Sequence, residues 1–67
     1  MRANILRAKM VEAGYTQRSL AKKINMAENT LSNKLMGRSA FDVNEANEIC
    51  AALNISSNEE KAYIFLS

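Results

Sequence analysis

Apolar residues recur at every third or fourth position along most of this 67-residue chain, and polar residues fill the positions between them. Such spacing places the apolar side chains on one face of an α-helix. The chain contains no proline and no segment with the strict apolar–polar alternation that is typical of strands. We therefore predict an all-α fold in which residues 1–67 form one domain, a compact bundle of helices with short connections.

Glycine and asparagine mark four predicted helix ends. The residue just beyond a helix commonly adopts a positive φ, which glycine reaches without a steric clash and asparagine tolerates. Residues of these two types follow segments of helical periodicity at Gly14, Asn25, Gly37 and Asn54. These positions divide the chain into five helical segments.

Residues that cap helix N-termini set the remaining boundaries. Thr16 is predicted to cap the second helix, and Asp42 with Glu45 forms a capping pattern for the fourth. For the fifth helix, either Ser56 or Ser57 fits the capping position. The predicted helices are Ala3–Ala13, Gln17–Ile24, Glu28–Met36, Val43–Leu53 and a last helix that carries residues 62–66.

Charge is divided unequally between the two parts of the chain. The net charge is only +2, but residues 1–38 contain eight lysines and arginines and two glutamates. Residues 39–67 contain one lysine and five acidic residues. This division is expected if one face of the domain is turned toward a polyanion. A chance division of solvated side chains would look the same.

The residue types that are missing exclude several classes of function. Without histidine and with the single cysteine Cys50, the chain has no internal disulfide, no His-dependent catalytic pair and no plausible zinc site. Cys50 is expected in the core, on the apolar stripe that Val43, Ala46, Ile49 and Leu53 share. No segment approaches the roughly 20 apolar residues of a membrane helix, and no signal peptide is recognisable. We expect a cytoplasmic protein with no enzymatic activity, cofactor, metal or small-molecule substrate.

The segment 17–36 has the pattern of a helix-turn-helix, in which two short helices are joined by the turn 25–27. The small residue Ala21 falls where the two helices would cross. Leu31 and Leu35 of the second helix are expected to face the core. In a helix-turn-helix the second helix enters the major groove of DNA and the first lies across the phosphate backbone.

The sequence from Thr16 to Leu53 resembles the Cro and repressor proteins of the XRE-type helix-turn-helix family, in the branch found in phages of Gram-positive bacteria. The similarity lies in the opening TQRSLA, the segment TLSNKL, the glycine shortly after it and the later segment EANEI. Asn25 stands where the family usually has glycine, and Lys34 stands where many members have an apolar residue. The resemblance implies a five-helix bundle of the lambda-repressor type and a dimeric repressor that binds double-stranded operator DNA.

Polar residues of the third helix are the candidates for DNA contact. Asn29 and Asn33 can form paired hydrogen bonds with adenine, and we predict that they contact bases rather than solvent alone. Ser32 can bond to a base, to a phosphate or to its own helix. Glu28 can accept a hydrogen bond from cytosine, but we favour a role at the positive end of its helix. The predicted phosphate contacts are Gln17, Thr30, Lys34, Arg38 and Ser39.

The last helix carries more apolar residues than one buried face can hold. We expect Tyr63, Ile64 and Phe65 to form the interface of a weak homodimer that is completed on DNA. The same residues would suit a protein-interaction module, such as an antirepressor or adaptor, that keeps the fold without binding DNA. An antitoxin of a two-protein module is a further alternative. The polar face of the third helix favours DNA binding, because an adaptor would not need it.

Overall fold

Five α-helices joined by short turns make up the computed structural model, which describes residues 1–66. No strand occurs within these residues, so the predicted all-α fold is confirmed. Each of the first four helices ends one residue before its predicted end, because the predicted last residue is the C-cap. The helices are α1 (Ala3–Glu12), α2 (Gln17–Lys23), α3 (Glu28–Leu35), α4 (Val43–Ala52) and α5 (Asn58–Phe65).

The turns that follow α1, α2, α3 and α4 share one backbone geometry. In each turn, the second residue after the C-cap donates its N–H to a carbonyl five positions earlier, over 2.8–2.9 Å. This bond defines the Schellman motif, which requires a positive φ at the residue just after the C-cap. The positive φ values expected at Gly14 (81°), Asn25 (58°) and Asn54 (60°) are confirmed, and Gly37, where the third helix was predicted to stop, has one of 80°.

Side chains cap α2, α4 and α5 where the sequence predicts caps. Thr16 accepts a bond from the Ser19 N–H over 3.0 Å, and the Ser19 hydroxyl accepts one from the Thr16 N–H over 2.9 Å. Asp42 and Glu45 form the same reciprocal pair over 2.7 and 2.9 Å. At α5 the cap is the second candidate serine, Ser57. Each cap contributes about 1 kcal/mol to the stability of its helix.

One apolar core is shared by all five helices. Cys50 lies in it as predicted, and burial raises the pKa of its thiol. The prediction for Val43 is wrong, because this residue is 76% exposed. Val43 is the first residue of α4, where the helix starts at the exposed cap Asp42. The largest fully buried side chains are Leu6, Leu20, Leu31, Leu35, Ile49 and Ile64.

The other helices form a frame around α2 and α3. α1 packs against α5, and α4 packs against both α2 and α5. The Arg2 N–H donates to the Ile64 carbonyl over 2.7 Å, and the Lys9 ammonium lies 3.1 Å from the Glu60 carboxylate. These two contacts fasten the start of the chain to α5. None of the helices in residues 1–66 is both long enough and apolar enough to cross a membrane.

Candidate nucleic-acid interface

The helices α2 and α3 form a helix-turn-helix. α2 ends at Lys23 and α3 begins at Glu28, and Asn25 reverses the chain between them with a φ of 58°. The Met26 N–H donates to the Ala21 carbonyl over 2.8 Å, which fixes the turn. Ala21 is buried, and its small side chain lets the two helices pack closely, as the sequence predicts.

One side of α3 is enclosed in the core and the other faces outward. Leu31 and Leu35 are buried, with 0% and 2% of their surface exposed. The outward side carries hydroxyl, amide and carboxylate groups, which donate or accept hydrogen bonds. Apart from Lys34, the α3 residues predicted to contact DNA are all exposed or half-buried on this side: Glu28, Asn29, Thr30, Ser32 and Asn33.

The Lys34 side chain is folded back against the protein and mostly covered. Its ammonium donates to the Glu45 carboxylate over 2.7 Å and to the Ala40 carbonyl over 3.0 Å, and it lies 5.9 Å from the Phe41 ring. Only 14% of the Lys34 side chain is exposed. The structure thus contradicts the expectation that Lys34 contacts a phosphate, because its charge is already paired and shielded from solvent.

The pair formed by Lys34 and Glu45 connects the end of α3 to the start of α4. The same Glu45 oxygen also accepts the Asp42 N–H over 2.9 Å. The hydrogen bond from Lys34 and the one from the Asp42 backbone hold the pKa of Glu45 below its ordinary value. Through these two bonds Glu45 fixes both ends of the loop that carries Arg38 and Ser39.

Arg38 is brought back onto α3 by the turn at Gly37. Its N–H donates to the Asn33 carbonyl over 2.9 Å, and its Nη1 donates to the Asn33 Oδ1 over 3.4 Å. The structure therefore unites a predicted base contact with a predicted phosphate contact. This pair was not predicted, although the glycine after α3 was a usable signal: a Schellman turn there places the next residue over Asn33.

Positive charge remains at the surface around α2 and α3. Arg18, Lys22 and Lys23 of α2 are exposed, as are Arg38 and Ser39 in the loop after α3. The predicted phosphate contact Gln17, the first residue of α2, is half-buried. In the part of the chain that the structure describes, no group of three Cys, Asp or Glu side chains could hold a metal ion.

The three residues predicted for a dimer interface are separated in α5. Ile64 is fully buried in the core, so the expectation that it meets a partner is wrong. Tyr63 is 53% exposed, and the Arg2 guanidinium lies 4.3 Å from the centre of its ring. The half-buried Phe65 contacts Phe41 edge to face, with 5.7 Å between ring centroids. A helix segment with apolar residues on all sides gives no signal for which side will be buried.

A shallow apolar groove runs between the loop after α3, the start of α4 and the end of α5. Val43 and Leu66 stand in it 76% and 83% exposed. Arg38 and Ser39 form its border toward α3. We call this surface the α4–α5 groove; its apolar lining is Met1, Ala40, Phe41, Val43, Ala46, Phe65 and Leu66.

Comparison with known proteins identifies the family. Neither the curated proteins nor the solved structures contain a match to this chain. A family model described as Helix-turn-helix (HTH_3), the XRE type, matches residues 6–59. The matched part contains the whole of α2, α3 and α4, and the five helices have the lambda-repressor-like arrangement. The chain therefore belongs to the XRE-type helix-turn-helix family of DNA-binding transcription regulators.

Proposed function

We propose that this regulator is a Cro-like repressor of phage or prophage origin, active in the cytoplasm, with residues 1–67 acting as one DNA-binding domain. It occupies a near-palindromic operator and thereby blocks transcription. The observation that carries the proposal is the division of α3 into two sides. Leu31 and Leu35 fasten one side to the core, and the outward side is left with hydrogen-bonding groups.

The outward side of α3 enters the major groove. Base edges there present hydrogen-bond donors and acceptors in patterns that amide and hydroxyl side chains can match. Asn29, Ser32 and Asn33 make the base contacts in this proposal. Glu28 lies in the first turn of α3, where its charge complements the helix dipole, and it accepts from cytosine only as a secondary role.

Contacts to phosphates hold α3 in register with the bases. Gln17 approaches the backbone from the first turn of α2, and Thr30 approaches it from α3. Arg38 and Ser39 do so from the exposed loop after α3. Such contacts fix the orientation of the protein on the duplex but carry no sequence information by themselves. Lys34 takes no part, because its ammonium is paired with Glu45.

A second copy of the chain covers the α4–α5 groove. Val43 and Leu66 are exposed apolar side chains, and a complex in which a partner removes them from water is stabilised by their burial. The groove borders on Arg38, so a copy related by a two-fold axis would place two phosphate-binding loops side by side. Of the residues first predicted for the interface, Phe65 lines this groove and Tyr63 lies outside it. The groove is small, which favours a weak dimer that DNA completes.

Selection from a random duplex pool tests this function. The wild-type chain is expected to enrich a near-palindrome with half-sites about one helical turn, roughly 34 Å, apart. Sedimentation of the enriched duplex with protein should then show two chains per site. A pool that shows no enrichment would contradict the repressor and favour the protein-interaction module. One chain per site would contradict the dimer and leave DNA binding in place.

A further inference from the structure

The Schellman turn after α3 pairs different side chains from the other three turns. In this motif the second residue after the C-cap lies over the third residue from the helix end, and the two commonly make an apolar contact. After α3 the pair is Arg38 with Asn33. The pairs in the other turns are apolar and belong to the core or pack against it: Tyr15 with Met10, Met26 with Ala21, and Ile55 with Cys50.

Only after α3, among the turns described, does this motif pair a charged side chain with an amide, and the pair lies beside the outward side of α3. The backbone bond of 2.9 Å fixes Arg38 against Asn33, and the side-chain bond of 3.4 Å follows from that placement. The loop is also held from its other end, because Lys34 donates to the Ala40 carbonyl. The fold therefore places the Arg38 backbone next to Asn33, and the exposed guanidinium lies within hydrogen-bond distance of the Asn33 amide.

The bond from Arg38 decides which way the Asn33 amide presents itself. The Oδ1 atom accepts from the guanidinium, which leaves the Nδ2 group to donate outward. An asparagine contacts adenine by donating to N7 while it accepts from the N6 amino group. Here the accepting atom lies beside a positive charge, so an approaching amino group would be repelled. Asn33 and Arg38 together offer several donors, and the guanidinium already engages the amide oxygen.

We propose that Arg38 and Asn33 act as one hydrogen-bond-donating unit that selects guanine, an inference that rests on the proposed insertion of α3 into the major groove. Guanine presents the two acceptors N7 and O6 next to each other in that groove, and no other base does so. Arg38 is thus a specificity-determining residue as well as a phosphate contact. The earlier expectation that Asn33 selects adenine is replaced.

The experiment is selection from a random duplex pool with the wild type, Asn33→Ala, Arg38→Met and Arg38→Lys. The position whose preference Asn33→Ala abolishes is the one that Asn33 contacts. In the wild type this position should be guanine in each half-site. In Arg38→Met the preference for guanine over adenine should fall at least about tenfold, the size of one good base contact. Arg38→Lys should keep most of the affinity yet lose preference, because a lysine cannot donate as a planar fork.

Arg18→Met is the matched control, since Arg18 is an exposed cation on α2. It should weaken binding to all duplexes alike and change no base preference. Circular dichroism should show that every variant keeps its helices, because both arginines lie at the surface. Adenine at the Asn33 position in the wild type, or an unchanged preference in Arg38→Met, would overturn the proposal. A wild type that enriches no sequence would instead contradict the proposed function itself.

Discussion

The helix pair α2–α3 and the helix pair α4–α5 differ in the side chains that they leave exposed outside the core. In α3, Leu31 and Leu35 are buried, and hydrogen-bonding side chains dominate the outward side. In the second pair, Ile64 is buried just as completely, yet Val43 and Leu66 stay exposed beside the α4–α5 groove. One core therefore supports two surfaces of opposite chemistry.

The contrast teaches what kind of partner each surface suits. Exposed groups that donate or accept hydrogen bonds are already satisfied by water. They select between partners only when a partner presents a matching pattern of donors and acceptors, as base edges do. Exposed apolar groups gain from any partner that removes them from water, and a second copy offers a groove of the same kind. In the proposed function, specificity therefore belongs to α3 and assembly to the α4–α5 groove.

Removing a buried side chain of α3 should have the largest effect. Leu31→Ala is expected to lower the free energy of unfolding by about 2–5 kcal/mol, because it leaves a cavity in the core. Urea denaturation measures this change. Met36→Ala, at the half-exposed C-cap of the same helix, is the control and should cost clearly less. Equal losses in both variants would show that the two sides of α3 do not differ as described.

A polar side chain in the α4–α5 groove should weaken assembly without unfolding the chain. Val43→Gln is expected to lower operator affinity about tenfold, equivalent to roughly 1.4 kcal/mol, because an amide would be buried at the seam. Val11→Gln is a matched control, since Val11 and Val43 are both 76% exposed and Val11 lies on α1. Sedimentation on the operator gives the stoichiometry. If both variants had the same operator affinity and stoichiometry, the groove would not be part of the interface.

Replacing Lys34 should lower the stability of the fold and leave the electrostatic part of DNA binding unchanged. Lys34→Met is expected to lower the free energy of unfolding by roughly 1 kcal/mol, the upper range for a partly exposed ion pair. The number of phosphates that the salt dependence of binding reports should not change, since this lysine contacts Glu45 and not DNA. Lys22→Met, at an exposed lysine of α2, is the control for loss of a charge. If the affinity of Lys34→Met depended less steeply on salt than that of the wild type, Lys34 would contact a phosphate after all.

The same ion pair predicts a small effect of acid. Glu45 has a lowered pKa in the folded chain, so its contribution is complete above its ordinary value of 4.5. The contribution is lost as the pH falls through the lower, folded value. Urea denaturation at a series of pH values should show a smaller acid loss in Lys34→Met than in the wild type. An identical acid loss would mean that this carboxylate does not stabilise the junction of α3 and α4.

Features that depend on neighbouring residues were predictable from the sequence. The caps Thr16 and Asp42 act within one turn, and Gly37 reaches its positive φ of 80° because glycine has no Cβ. For this reason the helix ends were predicted to within a residue. Membership of the XRE-type helix-turn-helix family, which such local motifs indicate, was confirmed by the family match over residues 6–59.

Features that depend on contacts across the fold were not predictable. Lys34 is 11 positions from Glu45, and helical periodicity says nothing about which carboxylate a loop will bring to it. The apolar stripe predicted for α4 included Val43, but periodicity cannot show that the core does not reach the first residue of the helix. In α5 the periodicity fits several faces, so Ile64 was assigned to a partner rather than to the core.

The affinity of Asn29→Ala for two duplexes tests the central claim, that the outward side of α3 carries sequence specificity. Titrations over a series of salt concentrations would compare the selected operator with an unrelated duplex. The operator should lose about 1–3 kcal/mol of binding free energy and the unrelated duplex almost none. For both, log affinity should fall linearly with log salt, by about 0.9 per phosphate contact. An equal loss on both duplexes, or an affinity that salt does not change, would contradict the account.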